Sequence, residues 1–212
     1  GSEMCIRDSS DEAEKYSAAA FATKHEDAIY FSKRVTRAVP DGGPIEAHTD
    51  LVKKLDYECE LAVVLGKDAR DVPAGQTRDY IFGYTILNDV SARDVQTAHK
   101  QWYFGKSLDG FTPIGPCIVT ADAFADYPPR LGIRSFVNGE KRQDSNTALQ
   151  IFDIDHVIAE LSQGMTLKAG TIIATGTPAG VGMGMDPPQF LKPGDVVRCE
   201  IEGIGTLTNP VK

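Results

Sequence analysis

Apolar and polar positions along the chain mainly follow the two-residue period of β-strands, so the pattern predicts a fold built from short strands. Each predicted strand is rich in β-branched or aromatic residues and is bounded by glycine, proline or polar residues. Strands are expected at Ile29–Lys33, Tyr57–Leu65, Tyr80–Leu87, Cys117–Thr120, Ile133–Lys141, Thr171–Thr175 and Asp195–Ile201. The dipeptide Asn138-Gly139 is typical of a type I′ turn, so the fifth segment is expected to be a hairpin.

Two segments carry a clear helical pattern. Asp153 can cap a helix whose apolar residues recur three and four positions apart, and Gly164 provides its stop. The second segment, Ser91–Trp102, begins with a predicted capping box formed by Ser91 and Asp94. Because strands outnumber helices and do not alternate with them, the pattern predicts a β-rich α+β fold rather than a doubly wound parallel sheet.

The 212 residues contain no internal repeat and no linker long enough to divide them, which predicts a single domain over residues 12–212. The Ala-rich segment Glu12–Glu26 within this range is compatible with a helix. Gly1–Asp11 is polar and patternless, so we expect a disordered leader there. Hydrophobic residues at 42% and charged residues at 25% exclude a mainly disordered chain.

Composition also limits which binding partners and which cellular compartment are expected. The formal net charge of -8 has the wrong sign for a phosphate-rich partner, so nucleic acid is not expected. No apolar run approaches the roughly 20 residues that span a bilayer, and no membrane partner is expected. The four cysteines lie far apart without a C-x-x-C pair, which favours reduced thiols in the cytoplasm.

Two acidic residues share one face of the predicted strand Tyr57–Leu65. Side chains alternate along a strand, so Glu58 and Glu60 point to one side. The other side carries the alternate residues Tyr57, Cys59, Leu61 and Val63. Two half-buried carboxylates repel each other unless a positive group joins them, and a hard divalent cation with oxygen ligands is the simplest such group. A solvated edge strand carrying two harmless glutamates is the alternative.

A second cluster of polar residues lies in the segment Asn88–Gln96. At 100° per helical residue, Asp89, Arg93 and Gln96 fall on one stripe, which would place an acid, a guanidinium and an amide side by side. The alternatives are a helix cap for Asp89 and, for Arg93, a surface position or a salt bridge to Asp89. The stripe shifts the balance toward a site formed together with the two glutamates.

Two loops rich in glycine and proline could add further groups. Lys106 lies just ahead of such a loop, which leads into a strand, and loops of this kind often carry functional groups. Thr175–Gly182 offers backbone N–H groups at close approach, with a tight structural turn as the alternative. It lacks the patterns of phosphate-binding loops. The four histidines have no partners at metal-ligand spacing: His25, His48, His99 and His156.

Several blocks of sequence, in order, resemble the fumarylacetoacetate hydrolase superfamily over roughly residues 29–211. The blocks are Asp56–Leu61, Gly83-Tyr84 with Asn88–Gln96, Gly105–Ser107, Pro113–Pro116, Val137–Glu140 and Thr175–Gly182. A set of blocks in this order is far more specific than any one of them. The resemblance implies a β-rich α+β fold of the β-sandwich roll type, with few short helices.

The resemblance also implies a chemistry for the site. Three residues match the family's ligands to Mg²⁺ or Mn²⁺: Glu58, Glu60 and Asp89. Four match residues that line its substrate site: Arg93, Gln96, Lys106 and Thr177. Lys106 and Arg93 are the candidate catalytic residues, because they would stabilise the enolate or oxyanion that develops as a bond breaks. The implied substrate is a small 2-oxo acid or 1,3-dicarbonyl compound, and the implied assembly is a homodimer.

The implied activity is, first, hydrolysis of the C–C bond of an acylpyruvate-type substrate. Oxaloacetate-type decarboxylation and keto–enol isomerisation or hydration in aromatic catabolism are the alternatives. Hydrolytic members carry an N-Y-x-x-H-x-x-E run whose His/Glu pair activates water, whereas Glu14–Phe21 reads EKYSAAAF. This departure weakens hydrolysis more than the alternatives, which need no activated water. It also leaves open a noncatalytic, metal-containing binding protein.

Overall fold

The structure, a computed structural model, describes residues 27–212 and the backbone of residues 2–6. The described residues form twelve strands: β1 (Ser2–Ile6), β2 (Tyr30–Arg34), β3 (Leu55–Asp56), β4 (Cys59–Leu65), β5 (Ile81–Asn88), β6 (Ser91–Ala92), β7 (Ile114–Thr120), β8 (Gly132–Val137), β9 (Glu140–Asn146), β10 (Ile172–Ala174), β11 (Val196–Ile201) and β12 (Gly205–Pro210). They also form three α-helices: α1 (Arg93–Ala98), α2 (Tyr103–Lys106) and α3 (Ile154–Leu161). None of these helices is long and apolar enough to cross a membrane.

The strands form two large sheets and one small one. The larger sheet has six strands in the order β2-β1-β10-β4-β5-β7, and the second has four in the order β12-β11-β8-β9. β3 and β6 form a separate two-stranded sheet. Neighbouring strands are antiparallel except for β1 and β10, which are parallel. The predominance of antiparallel strands over short helices confirms the predicted β-rich α+β fold.

The main hydrophobic core lies between the two large sheets. Leu61 and Val63 of β4 contribute to it from the six-stranded sheet, and Val197 and Cys199 of β11 contribute from the four-stranded sheet. Ile158 of α3 belongs to the same cluster. Removal of these apolar side chains from water is the main favourable term in the stability of such a fold.

The opposite face of the six-stranded sheet carries a second, smaller apolar cluster. Ala62 of β4, Leu87 of β5 and Ala174 of β10 form it, and Phe31 of β2 packs against it. Because alternate residues of a strand face opposite sides, Glu60 lies on the same face as Ala62. Glu60, the acidic residue of β4, is therefore directed away from the main core, as the alternation in the sequence predicts.

Local sequence signals correctly predict the third helix and the hairpin. Asp153 accepts a hydrogen bond from the backbone N–H of His156 at 2.8 Å, which caps α3. Gly164, beyond the end of this helix, has a φ of 70°. Asn138 and Gly139 connect β8 to β9 with φ values of 53° and 83°, as a type I′ turn requires.

The predicted helix over Ser91–Trp102 is wrong in its length and in its cap. α1 has only six residues, and Lys100 with a φ of 60° separates it from α2. Ser91 belongs to β6, and its hydroxyl donates to the carbonyl two residues earlier at 2.9 Å. Asp94 accepts at 2.8 Å from a backbone N–H of the loop before β3. A local bond thus engages Ser91 and a tertiary contact engages Asp94, so the expected capping box does not form.

The expectation of a disordered leader over Gly1–Asp11 is wrong for Ser2–Ile6, which forms β1 between β2 and β10. The backbone N–H and C=O groups at the edges of β2 and β10 need partners, and β1 supplies them. This requirement arises from the assembled sheet rather than from the composition of the segment. Gly1, residues 7–11 and the helix expected at Glu12–Glu26 lie outside the described residues.

Candidate active site and metal centre

Three acidic residues singled out in the sequence meet at one place in the structure. Glu58 immediately precedes β4, Glu60 lies within it, and Asp89 immediately follows β5. One carboxylate oxygen from each residue lies within 4.8 Å of those of the other two. Glu60 and Asp89 are buried, whereas Glu58 is partly exposed. The structure thus brings together the three residues that the sequence resemblance implies are metal ligands.

The pairing of β4 with β5 explains this convergence. Cys59 and Asn88 lie opposite each other in the two strands. Just beyond this pair, the backbone N–H of Asp89 donates to the carbonyl of Glu58 at 2.8 Å. The side-chain Oδ1 of Asn88 accepts from the backbone N–H of Glu58 at 3.0 Å. These bonds hold the backbones of the two acidic residues together, so their carboxylates share a small volume.

Two buried lysines neutralise part of the acidic cluster. Lys106 Nζ lies 2.8 Å from Glu58 Oε2 and 2.6 Å from Asp89 Oδ2. Lys33 Nζ lies 2.8 Å from the other oxygen of Asp89 and also donates to the backbone carbonyl of Lys106. Lys33 is absent from the predicted site residues. The signal that could have identified it is a lysine within a short strand that begins with two aromatic residues.

Arg93 binds the acidic cluster from another side. Its Nη1 lies 2.6 Å from Glu58 Oε1, and its Nε lies 2.9 Å from Asp56 Oδ2. Gln96, three residues later on α1, accepts a hydrogen bond from Arg93 Nη1 at 3.3 Å. Asp56, which is also absent from the predicted set, accepts from the backbone N–H of Gly182 at 2.7 Å. Asp56 therefore connects the guanidinium of Arg93 to the loop that follows β10.

One donor of this arrangement has no partner among the described residues. Arg93 Nη2 is buried and makes no hydrogen bond. Leaving such a donor unpaired costs about 1–3 kcal/mol, so an unsatisfied buried group calls for an explanation. Guanidinium groups commonly bind carboxylates through two N–H groups. Nε and Nη1 of Arg93 are already bonded to protein groups, so the unpaired Nη2 is the donor that suits a ligand carboxylate.

Burial and crowding shift the protonation equilibria of the site. Burial, and then the charges of Asp89 and Glu58, raise the pKa of Glu60 well above the ordinary carboxyl value of 4.5. Burial by itself would lower the pKa of Arg93, but Glu58 and Asp56 outweigh it and raise the pKa overall. Arg93 therefore remains cationic, whereas ionising Glu60 costs free energy.

The donor set fits a hard divalent cation. All three groups are carboxylates, which are the oxygen ligands that Mg²⁺ and Mn²⁺ prefer, and they lie close enough to share one ion. Among the described residues, three carboxylates form ion pairs with the cationic side chains of Lys33, Arg93 and Lys106: Asp56, Glu58 and Asp89. Glu60 adds a fourth carboxylate to the cluster. A divalent ion would relieve the repulsion that raises the pKa of Glu60.

Thr177 lies beside the cluster, but its hydroxyl bonds to protein groups. Its Oγ1 donates to the carbonyl of Cys59 at 2.9 Å and accepts from Gln143 Nε2 at 2.8 Å. No sequence signal distinguishes Gln143 from its neighbours, because β9 is polar along its whole length. Contact between Thr177 and a substrate stays a prediction, as do the catalytic roles of Lys106 and Arg93.

Comparison with known sequences shows which protein family this chain is similar to. The family profile described as fumarylacetoacetate (FAA) hydrolase C-terminal matches residues 2–212. Oxaloacetate tautomerase YisK of Bacillus subtilis is 45% identical over 186 residues, which are 88% of this chain and 62% of that protein. An uncharacterized protein of Staphylococcus epidermidis is 48% identical over 183 residues, 86% of this chain and 60% of that protein. The chain thus spans about 60% of the length of these curated relatives.

Solved structures share the same architecture. A fumarylacetoacetate hydrolase from psychrophilic Exiguobacterium antarcticum has a TM-score of 0.89 at 46% identity, covering 100% of this chain and 74% of that chain. A 2-hydroxyhepta-2,4-diene-1,7-dioate isomerase from Mycobacterium marinum has a TM-score of 0.81 at 39% identity, covering 99% of this chain and 73% of that chain. The relatives thus bear the names of a tautomerase, a hydrolase and an isomerase.

The variant Glu60→Gln should separate charge repulsion from metal binding. In EDTA, the variant should melt at a higher temperature than the wild type, because the repulsion from Asp89 and Glu58 is removed and Gly176 N–H keeps an oxygen acceptor. In Mg²⁺ at about 100 times its Kd, the wild type should gain about 2.7 kcal/mol of stability and the variant almost none. Thermal melts with and without Mg²⁺ measure both effects.

The pH dependence of the metal-free protein follows from the same shift. Because the folded-state pKa of Glu60 is raised, the folded protein holds a proton that the unfolded chain releases above about pH 4.5. The free energy of unfolding should therefore fall as pH rises from 4.5 through the raised pKa, and Glu60→Gln should reduce this slope. Glu46→Gln, at an exposed acid, is the control for the pH experiment.

The Mg²⁺ experiment can contradict the assignment of Glu60 as a ligand. It would do so if Mg²⁺ stabilised Glu60→Gln as much as it stabilises the wild type.

Proposed function

Because the chain belongs to the fumarylacetoacetate hydrolase family, we propose that it is a divalent-metal-dependent enzyme acting on small 2-oxo acids or 1,3-dicarbonyl compounds. Glu58, Glu60 and Asp89 would hold Mg²⁺ or Mn²⁺. The proposal rests on one observation above all: this carboxylate triad lies directly against the cationic groups of Lys106 and Arg93.

A small 2-oxo acid presents a carboxylate next to a carbonyl oxygen, and the site offers a partner for each. The unpaired Nη2 of Arg93 suits the carboxylate, while Gln96 holds the guanidinium through Nη1. When bound, the divalent cation supplies a Lewis acid for the 2-oxo oxygen. Lys106 brings an ammonium group to the same place, and there it stabilises negative charge that develops on that oxygen.

Keto–enol tautomerisation is the reaction that these groups support with the fewest additions. A proton leaves C3, a proton is added to the 2-oxo oxygen, and the double bond moves from C=O to C=C. The cationic groups lower the energy of the enolate through which the two forms interconvert. The 45% identity to an oxaloacetate tautomerase and the 39% identity to a dioate isomerase support this class of reaction. Decarboxylation of an oxaloacetate-type acid passes through a similar enolate.

Hydrolysis of the C–C bond of an acylpyruvate-type substrate, the activity that the sequence resemblance puts first, is the second candidate. It is favoured by the 46% identity to a structure described as a fumarylacetoacetate hydrolase. An enolate is again the species to be stabilised, but a general base must also activate water for attack on the carbonyl. Glu14–Phe21, where the family's His/Glu pair is expected, lies outside the described residues.

A panel of substrates distinguishes these activities. We expect the purified protein to accelerate oxaloacetate tautomerisation more than its decarboxylation or the cleavage of acylpyruvates, with activity lost in EDTA and restored by Mg²⁺ or Mn²⁺. Loss of the enol absorbance, release of CO₂ and release of pyruvate report the three reactions separately. Faster acylpyruvate cleavage would favour the second candidate. Ligand-dependent thermal stabilisation without any product would indicate a noncatalytic, metal-containing binding protein.

Lys106→Met tests whether this lysine acts on the reacting atoms. Because its ammonium would interact mainly with charge that develops during the reaction, kcat should fall by about a hundredfold or more while KM changes modestly. Removing a cation from Glu58 and Asp89 should leave metal affinity unchanged or stronger. Steady-state kinetics and a metal titration measure these effects. The control is Lys168→Met, at a lysine whose side chain is 71% exposed.

Other results for Lys106→Met would assign it a different role. An increase in KM with an unchanged kcat would mean that Lys106 binds the substrate carboxylate in the ground state. A lower melting temperature, with activity recovered on cooling, would mean that it only supports the fold.

The family resemblance further supports a cytoplasmic homodimer, which the acidic net charge does not oppose. At micromolar concentration, sedimentation equilibrium should give a mass twice the 22.9 kDa of one chain. A mass equal to that of one chain would contradict the dimer.

A further inference from the structure

The backbone hydrogen bonds between β4 and β10 end next to Glu60 of the acidic triad. The two strands pair only as far as Ala174 opposite Ala62. One more backbone bond follows, from the N–H of Thr175 to the carbonyl of Leu61 at 3.1 Å. Beyond this point, within the described residues, each bond to β4 from this direction involves a side chain as donor or acceptor. The end of β4 that carries the glutamates thus lacks a neighbouring strand on one side.

Side chains hold both backbone groups of Cys59, the residue between Glu58 and Glu60. Thr177 Oγ1 donates to the carbonyl of Cys59 at 2.9 Å, and Gln143 Oε1 accepts from its N–H at 3.2 Å. Gln143 Nε2 donates to Thr177 Oγ1 at 2.8 Å and closes a ring of three hydrogen bonds. Gln143 and Thr177 are 0% and 3% exposed, so water cannot readily replace these bonds.

The carboxylate of Glu60 also depends on this segment. The N–H of Gly176, next along the chain after the last backbone bond to β4, donates to Glu60 Oε2 at 2.8 Å. Gly176 has a φ of 90°, which lies outside the range of a β-strand. Glycine tolerates this backbone conformation better than any other residue. Gln143 Nε2 bonds in addition to the carbonyl of Pro178 at 2.6 Å. The same glutamine thus holds the backbone of Cys59 and the loop that contacts Glu60.

We propose that Gln143 and Thr177 are positioning residues that take the place of a neighbouring strand and set the spacing of the Glu58 and Glu60 carboxylates. This inference rests on the proposed metal site. Gln143 belongs to β9 of the four-stranded sheet, so the packing of the two sheets determines the geometry of two ligands on the other sheet. Residues that orient metal ligands commonly change metal affinity by about 10–100-fold when replaced.

Two isosteric threonine variants test the role of Thr177. Thr177→Val removes the hydroxyl bonded to Cys59, and Thr175→Val removes the same kind of bond to Leu61 at 2.8 Å. Both threonines are 3% exposed, and Leu61 keeps its backbone donor, so Thr175→Val controls for the loss of a buried hydroxyl bond. The readout is the Kd of Mn²⁺ without substrate, followed by the paramagnetic resonance signal of free Mn²⁺.

We expect Thr177→Val to weaken Mn²⁺ binding by about tenfold or more, and Thr175→Val by less than about threefold. Thr177→Ser, which keeps the hydroxyl, should restore a Kd close to that of the wild type. Equal Kd values for the two valine variants would overturn the proposal. A wild-type Mn²⁺ Kd with a raised KM in Thr177→Val would also overturn it, and would show that Thr177 contacts substrate instead.

Gln143→Met provides a second, independent test. It removes the bonds to Cys59 and Pro178 and the bond that orients Thr177, so it should weaken Mn²⁺ binding more than Thr177→Val does. A wild-type Kd in this variant would overturn the role of Gln143, whether or not Thr177→Val folds. If the wild type itself binds no Mn²⁺, the proposed metal site fails, and that result is distinct from failure of the positioning role alone.

Discussion

Carboxylates held within 4.8 Å of one another, two of them buried, are the constraint around which the site is arranged. Transfer of an ion from water into a protein costs several kcal/mol unless opposite charges and hydrogen bonds compensate. Lys33, Lys106 and Arg93 supply most of this compensation, and each bonds directly to a carboxylate of the cluster. The remaining imbalance appears as the raised pKa of Glu60. A carboxylate cluster that could hold a divalent cation is thus a consequence of how the chain packs its own charges.

The fold satisfies this constraint by collecting groups from distant segments. The acids come from the ends of two central strands, whereas the lysines come from the outer strand β2 and from α2, and the arginine comes from α1. Lys33 bonds both Asp89 and the carbonyl of Lys106, so it connects the cluster to the helix that carries the second lysine. Most of these side chains are buried and bonded to one another. A preorganised arrangement of charges stabilises a developing charge better than one that must rearrange.

The tautomerisation, decarboxylation and C–C hydrolysis proposed for this chain share one physical demand. Each requires stabilisation of negative charge on an oxygen next to an anionic group. A carboxylate triad flanked by ammonium and guanidinium groups can meet that demand whichever bond is finally made or broken. Differences among the activities therefore depend on the groups that transfer protons or activate water around this common arrangement.

Much of the fold and the centre of the site could be predicted from the sequence, because these features depend on local periodicity. Strand alternation correctly places Cys59 in the main core and the flanking glutamates on the other face. The helical spacing of Arg93 and Gln96 correctly predicts that these side chains contact each other. The predicted stripe is wrong for Asp89, which lies between β5 and β6, outside α1, and pairs with the two lysines instead. The helix cap at Asp153 and the turn at Asn138 are likewise encoded within a few residues.

Other features were decided only by the tertiary structure. The contribution of Lys33 depends on a contact with Asp89, 56 residues away, and that of Gln143 depends on contacts with Cys59 and Thr177, 84 and 34 residues away. Strand β1 supplies hydrogen-bond partners to the edges of β2 and β10, and Asp94 accepts from the loop before β3 instead of capping a helix. A pattern of neighbouring residues carries no information about such pairings, because buried polar groups take the partners that the assembled sheets bring within reach.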